Sequence, residues 1–300
     1  MMDGGAELSQ DEWQSELAEI GAREGFFERL GDQHSALFVD RGSTLIVSFE
    51  NLDHVYEGAR MPWGYGFVES RGWSMLGMMA HDWTWYRDDA VYDFFDRLAD
   101  EGFFDRFDRV VFYGASMGGY AACVFSAAAP GSTVVAISPQ ATLSRDVASW
   151  ETRYRKAWRR DFTGRYAYAP DMVAAADKVH IFYDPLMGLD AMHAALFRGD
   201  NIAKYACRFM GHRIASLWLL IGALKPVVAG CVDGTMTPAQ FYTLVRKRRD
   251  LPRYQRETLD RLQARNRPDL VAYYCQAVIN RRRAPKFRRA MIDAKAKLGR

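Results

Sequence analysis

Four cysteines in 300 residues, at Cys123, Cys207, Cys231 and Cys275, stand too far apart for the paired spacing of a zinc site. Read as isolated buried thiols, they point to a reducing cytoplasm instead of a disulfide scaffold. The six histidines, His34, His54, His81, His180, His193 and His212, do not cluster at ligand spacing either, so neither a metal nor a cofactor is expected. No apolar stretch is long enough to span a bilayer: the run Ile214 to Leu224 falls short, and no transmembrane segment is expected. The opening Met1 to Ser9 lacks the basic start and apolar core of a signal peptide. Internal repeats and low-complexity tracts are absent. So is a dinucleotide fingerprint, because Gly114-Ala-Ser-Met-Gly-Gly119 lacks its first two glycines at the required spacing.

What is present is the composition of a folded globular chain, 49% hydrophobic and 14% aromatic, long enough to bury one large core. The net charge of +3 hides an asymmetry. Residues 246–300 carry 18 Lys or Arg against 5 Asp or Glu, which leaves 22 basic and 32 acidic residues for 1–245 out of totals of 40 and 37. Within that basic quarter, Leu259, Leu262, Leu270, Val271, Tyr274, Val278 and Ile279 recur at helical spacing, punctuated by Pro252, Pro268 and Pro285. A bundle of short helices is expected there, docked on the acidic body or on an anionic partner. No nucleic-acid motif accompanies the charge, and no nucleic-acid partner is expected.

The densest information lies at Gly114-Ala115-Ser116-Met117-Gly118, directly after the apolar run Arg109-Val-Val-Phe-Tyr113. This reads as a strand that delivers a serine into a sharp turn before the small-residue helix Tyr120 to Ala129. Such a turn holds the serine in a strained backbone conformation with its hydroxyl exposed. Glycine two residues before and two after lets strand and helix approach.

These residues resemble the nucleophile elbow of the α/β-hydrolase superfamily, whose triad follows in the order nucleophile, acid, histidine. The resemblance implies an α/β fold: a mostly parallel sheet flanked by helices, with a cap insertion and, in this chain, a basic helical C-terminal appendage. The implied organisation is an N-terminal helical segment (1–35), a core (36–235) with its cap at about 139–178, and the basic region (236–300). The pattern of elements agrees. A helix from Gln10 to Leu30 precedes strands at Ala36–Val39, Thr44–Phe49 and Trp73–Met79. The helix Val91–Glu101 and strands at Thr133–Ser138, Lys178–Tyr183 and Ala203–Met210 alternate with further helices as parallel crossovers require.

By the same resemblance Ser116 is the nucleophile, His212, on the loop after the last parallel strand, is the general base, and the acid follows the strand Lys178–Tyr183. Asp184, in an Asp-Pro turn at that strand's carboxyl end, is the preferred acid; Asp190, which N-capping of the next helix would explain, is the alternative. The backbone N–H of Met117 is expected to supply one oxyanion donor, and Phe49 or Glu50, ahead of Asn51-Leu52, the second. In the cap, the basic and aromatic run Trp150 to Arg160 offers Trp150, Arg155, Arg159 and Arg160 as substrate-binding residues for an anionic or glycan-like ligand. The aromatics of His81-Asp-Trp-Thr-Trp-Tyr86 either line a pocket or simply cover the sheet edge. The expected function is hydrolysis of an ester or thioester, on a small-molecule or glycan acyl substrate, through an acyl-enzyme. Two alternatives stay open: an acyltransferase acting on a polysaccharide or a carrier-bound acyl group, and a non-catalytic interaction protein of the same fold.

Overall fold

A computed structural model describes residues 9–51 and 61–299. The element order is α1 (Gln10–Glu24), β1 (Gly25–Leu30), β2 (His34–Val39), β3 (Thr44–Asn51), α2 (Tyr65–Ser70), β4 (Ser74–Ala80), α3 (Asp89–Asp100), β5 (Arg109–Ala115), α4 (Met117–Phe125) and β6 (Thr133–Ile137). The chain continues through α5 (Arg145–Ala148), α6 (Ala169–Met172), β7 (Lys178–Tyr183), α7 (Gly188–Leu196), β8 (Ile202–Ala206), α8 (Ile214–Leu220), α9 (Leu224–Val232) and α10 (Pro238–Leu244). It ends with α11 (Pro252–Ala264), α12 (Pro268–Ile279) and α13 (Pro285–Lys297). The eight strands form one sheet in the order β1-β2-β4-β3-β5-β6-β7-β8. From β4 to β8 all neighbours are parallel; β2 runs antiparallel to both β1 and β4. This is an α/β-hydrolase-like architecture with a helical C-terminal region.

Strand side chains alternate between two apolar layers, as the two-residue period demands. Leu45, Val47 and Phe49 of β3 face the layer closed by α3 and α4, while Ile46 faces the layer closed by α2, α8, α9 and α10. Because both faces are covered, the central strands are continuous apolar runs. In the first layer Phe95 stacks on Phe125 at 4.3 Å and Phe49 on Phe125 at 5.8 Å. Each such pair adds about 0.5–1.5 kcal/mol beyond burial, which seats α4 firmly on the sheet. α1 covers the outer edge through Trp13 and Leu17 against Leu37, Val39 and Met79.

Several boundaries differ from the sequence expectation. The helix expected from Gln10 to Leu30 stops at Glu24, and Gly25–Leu30 is instead the first strand, paired with β2 through a turn at Gly31 with φ +62°. Phe26, Phe27 and Leu30 fit either period over so short a run, and pairing with β2 decides between them. The strand expected at Ala203–Met210 ends at Ala206, and the apolar run Ile214 to Leu224 is broken at Gly222, φ +68°, between α8 and α9. Among the described residues no single helix is long and apolar enough to cross a membrane; α8 and α9 reach that composition only together, across a bend of 111°.

The three prolines of the basic quarter each open a helix, α11, α12 and α13, at the position where a missing N–H costs nothing. These helices enclose a small core of their own, Leu259, Val271, Cys275, Val278, Phe287, Ala290 and Ala294. Ahead of them, Phe241 and Val245 belong to the core beneath the sheet. The helical unit meets the rest of the chain at the loop after β8: Tyr254 packs on Phe209 at 5.3 Å, and Arg261 lies over the same ring at 5.5 Å.

Candidate active site

Strand β5 ends at Ala115, and Ser116 follows with φ 55° and ψ −119°, a conformation that costs an L-residue on the order of 1–3 kcal/mol. The surroundings enforce it. The Ser116 N–H donates to the Ile137 carbonyl at 2.8 Å, and its own carbonyl accepts from Tyr120 N–H at 2.9 Å. The two glycines are required by contact: a Cβ on Gly114 would sit 2.1 Å from the Gly118 carbonyl oxygen, and one on Gly118 would sit 2.3 Å from the Phe49 carbonyl oxygen. Helix α4 therefore touches β3 and β5 backbone to backbone, and all nine of its residues are buried.

The Ser116 Oγ lies 2.8 Å from His212 Nε2. His212 stands on the loop between β8 and α8, and its Nδ1 meets Asp190 Oδ2 at 3.0 Å and Oδ1 at 3.1 Å. With Asp190 ionised, Nδ1 carries the proton and donates it, which leaves Nε2 as an acceptor facing the serine. Asp190 is 1% exposed and His212 23% in their side chains, so the carboxylate is dry while the imidazole edge and the serine reach solvent.

Of the two candidate aspartates, Asp190 and not Asp184 meets His212. Asp184 is buried, but its carboxylate accepts from Leu186 N–H at 3.0 Å and from Gly211 N–H at 2.7 Å. It closes its own turn and ties down the loop that carries His212, instead of reaching the imidazole. Asp190 is not the N-cap of α7 either, since Met187 holds that position. It sits inside the first turn, and the helix's rotation points it at His212.

Asp190 has a second partner that the sequence reading passed over. Arg153 Nη1 donates to Asp190 Oδ1 at 2.6 Å, while its Nε and Nη2 hold the fully buried Glu151. Glu151 in turn accepts from His193 Nε2 at 3.1 Å, and His193 Nδ1 accepts from Ala141 N–H at 3.1 Å. That backbone bond requires Nε2 to carry the proton, so His193 is neutral, and burial lowers its pKa despite Glu151. Burial would raise the carboxyl pKa of Glu151, but His193 and Arg153 outweigh it and bring it down to about 2. For Asp190 burial likewise opposes ionisation, and the bonds from His212 and Arg153 overcome it, leaving the carboxyl below its ordinary value. Arg153 lies within the expected cap run. Its partners, 2 and 37 positions away, are what single it out.

The other site expectations fall as follows. Met117 opens α4, so its N–H is among those a helix leaves without an intrahelical acceptor, beside the Ser116 hydroxyl. Phe49 and Glu50 lie within β3, which extends to Asn51 opposite Ala80; the rest of the expected oxyanion loop, at 52–60, and His54 lie outside the described residues. Trp150 packs on His193 at 4.5 Å and covers the buried network. Arg155 and Arg159 are exposed on the cap, Arg155 lying over Trp158 at 5.8 Å. Arg160 reaches Gln33 Oε1 at 3.0 Å and fastens the cap to the body, alongside Arg87, whose guanidinium donates to the Asp161 and Tyr166 carbonyls.

The remaining described histidines have structural partners. His34 bonds Thr84 Oγ1 at 2.7 Å and burial lowers its pKa to about 3; His180 lies beside the Tyr205 hydroxyl and burial lowers its pKa to about 4; His81 meets Ser35. Of the aromatics after β4, Trp85 and Tyr86 are buried with φ of 57° and 53°, whereas Trp83 is 52% exposed and stacks on Tyr154 at 6.3 Å. A cavity of about 760 Å³ lies at the amino ends of β5 and β6, between Gly102, Asp108, Arg109 and Asp177. That is the opposite end of the sheet from Ser116, which stands at the carboxyl end where open α/β sheets bind ligands.

No family model and no curated protein matches the sequence. Solved structures show likenesses at low identity. The capsule O-acetyltransferase of Neisseria meningitidis serogroup A is 13% identical over 65% of this chain and 92% of that one, with a TM-score of 0.44. The Pyrococcus furiosus esterase Pf2001 is 14% identical over 68% of this chain and 86% of that one, with a TM-score of 0.42. MPT51 of Mycobacterium tuberculosis is 16% identical over 68% and 95%, with a TM-score of 0.39. At such values the chemistry is read from this chain's own side chains.

Proposed function

We propose that this chain is a serine hydrolase that cleaves an ester or thioester through an acyl-enzyme. The observation that carries the reading is the hydrogen-bonded chain from the Ser116 hydroxyl through His212 to a buried, ionised Asp190, with the serine held in a strained elbow. Ser116 attacks the carbonyl while His212 Nε2 takes its proton. Asp190 keeps the imidazole in the required tautomer and stabilises its charged form. Met117 N–H, at the positive end of α4, is one donor to the developing oxyanion. The partly exposed edge of His212 leaves the site open to the water that deacylation needs.

The experiment is labelling of the purified chain with a fluorophosphonate probe, which reports an activated serine whatever the natural substrate. Labelling that disappears in Ser116→Ala and in His212→Ala is the expected result. A wild-type chain that stays unlabelled overturns the reading.

A further inference from the structure

The catalytic imidazole has a neighbour that a serine, a histidine and an acid do not account for. Tyr154 Oη lies 3.1 Å from His212 Nε2, the same atom that Ser116 Oγ meets at 2.8 Å. With its Nδ1 proton directed to Asp190, His212 offers one lone pair at Nε2, and two hydroxyls converge on it. The closer serine occupies it in the resting site, so the tyrosine hydroxyl is held at the edge of the reaction coordinate, within hydrogen-bond reach of both the imidazole and the Ser116 hydroxyl.

We propose that Tyr154 is a catalytic residue of the cap, which donates a hydrogen bond to the leaving-group oxygen as the scissile bond breaks and to the incoming oxygen during deacylation. This inference rests on the serine-hydrolase reading. In acylation the Ser116 Oγ–carbon bond forms as the serine proton passes to His212 Nε2. The carbon–leaving oxygen bond then breaks, its electron pair goes to that oxygen, and Nε2 returns the proton to it. A group 3.1 Å from Nε2 is within reach of the oxygen that receives this proton. Tyr154 Oη–H stabilises the charge growing there and keeps its own proton throughout. In deacylation a water takes the same place: its oxygen bonds to the acyl carbon as its proton passes to Nε2, the carbon–Ser116 Oγ bond then breaks with its electron pair going to Oγ, and Nε2 returns the proton to Oγ.

The surroundings suit this role. The ring is fixed by edge-to-face contact with Trp85 at 4.9 Å, by Trp83 stacked at 6.3 Å and by the Arg153 guanidinium 5.2 Å above it. The side chain is thus held from three directions, with the hydroxyl directed at His212. Burial raises its pKa, with the neighbouring Ser116 hydroxyl pulling the other way, so the phenol remains protonated and able to donate. Arg153 and Tyr154 are consecutive residues, so the short cap segment 151–154 both neutralises Asp190 and brings a donor to the opposite side of the imidazole.

The test is kcat/KM of Tyr154→Phe, with the full chain, on acetate esters of graded leaving group: 4-nitrophenyl, phenyl and benzyl acetate. Phenylalanine keeps the ring packing, and circular dichroism with the thermal midpoint checks the fold. The expected loss is about 10–100-fold on benzyl acetate, the worth of one hydrogen bond to a charged oxygen, and less than about 3-fold on 4-nitrophenyl acetate, whose leaving group needs no help. An equal loss across the series, or none on benzyl acetate, overturns this role while leaving the serine reading intact. If the wild-type chain takes no fluorophosphonate and cleaves none of the esters, the serine reading falls and this role falls with it.

Discussion

The cap and the C-terminal helices are the two arginine-rich parts of this chain, and their arginines do different things. In the cap, Arg153 lies between two buried carboxylates, Asp190 and Glu151, with its own side chain 24% exposed. In the C-terminal unit the pairs Arg267 with Asp269, Arg281 with Asp250 and Lys286 with Asp260 join that unit to itself, and each of these six partners is more than half exposed. The unit meets the rest of the chain through rings and cation–π contacts at Phe209. Charge density alone says little about where a charge matters. A cation near a dry carboxylate sets the ionisation of a site, while one in water adds a few tenths of a kcal/mol.

The sharpest way to break that contrast is at the shared partner of cap and imidazole. Asp190→Asn is expected to slow fluorophosphonate labelling by about 10³–10⁴-fold, because an amide stabilises the wrong tautomer of His212 and not its charged form. Asp184→Ala is expected to cost less than about 10-fold in the same assay and about 1–3 kcal/mol of stability, since it leaves the buried Gly211 N–H and the part-buried Leu186 N–H unpaired. A large loss at Asp184 with little at Asp190 would return the acid assignment to Asp184.

Arg153→Met comes next. It leaves Asp190 and Glu151 without their common cation, and unfolding measurements should show a loss of about 2–4 kcal/mol, near the range for breaking one partner of a buried pair. Acid titration sharpens the same point. Glu151 ionises at about 2 in the folded chain against about 4.3 when unfolded. Its contribution is therefore present above the unfolded value and is lost as pH falls from about 4.5 towards 2. Glu151→Gln is expected to flatten the acid limb of stability in that window by on the order of 2–3 kcal/mol, and an unchanged limb would remove the network from the account. The smallest effect belongs to the C-terminal unit: Lys286→Gln should shift the unfolding free energy by less than about 0.5 kcal/mol, and less still at high salt.

Local signals were the legible ones. The elbow was readable because its requirements fall within five consecutive residues: a strand, a serine and two glycines that the packing of α4 on β3 and β5 demands. The central strands were readable because both faces of the sheet are covered, and the last three helices because a proline opens each. Gly25–Leu30 was misread as helix because six residues fit two periods and only the pairing with β2 separates them. The basic cap run was visible, yet Arg155, Arg159 and Arg160 stood out in it while Arg153 and Tyr154 did not. Their partners lie on α7 and on the loop after β8, beyond any spacing rule.

The sequence by itself determined the strained serine turn and the parallel α/β class, because each follows from residues adjacent to one another. The tertiary structure decided which aspartate meets His212, which arginine meets that aspartate and which tyrosine stands beside Nε2, across separations of 22, 37 and 58 residues. A hydrogen bond is made or lost within a few tenths of an ångström. At that precision the rotation of α7 and the path of the cap, and not the order of residues, select the partner.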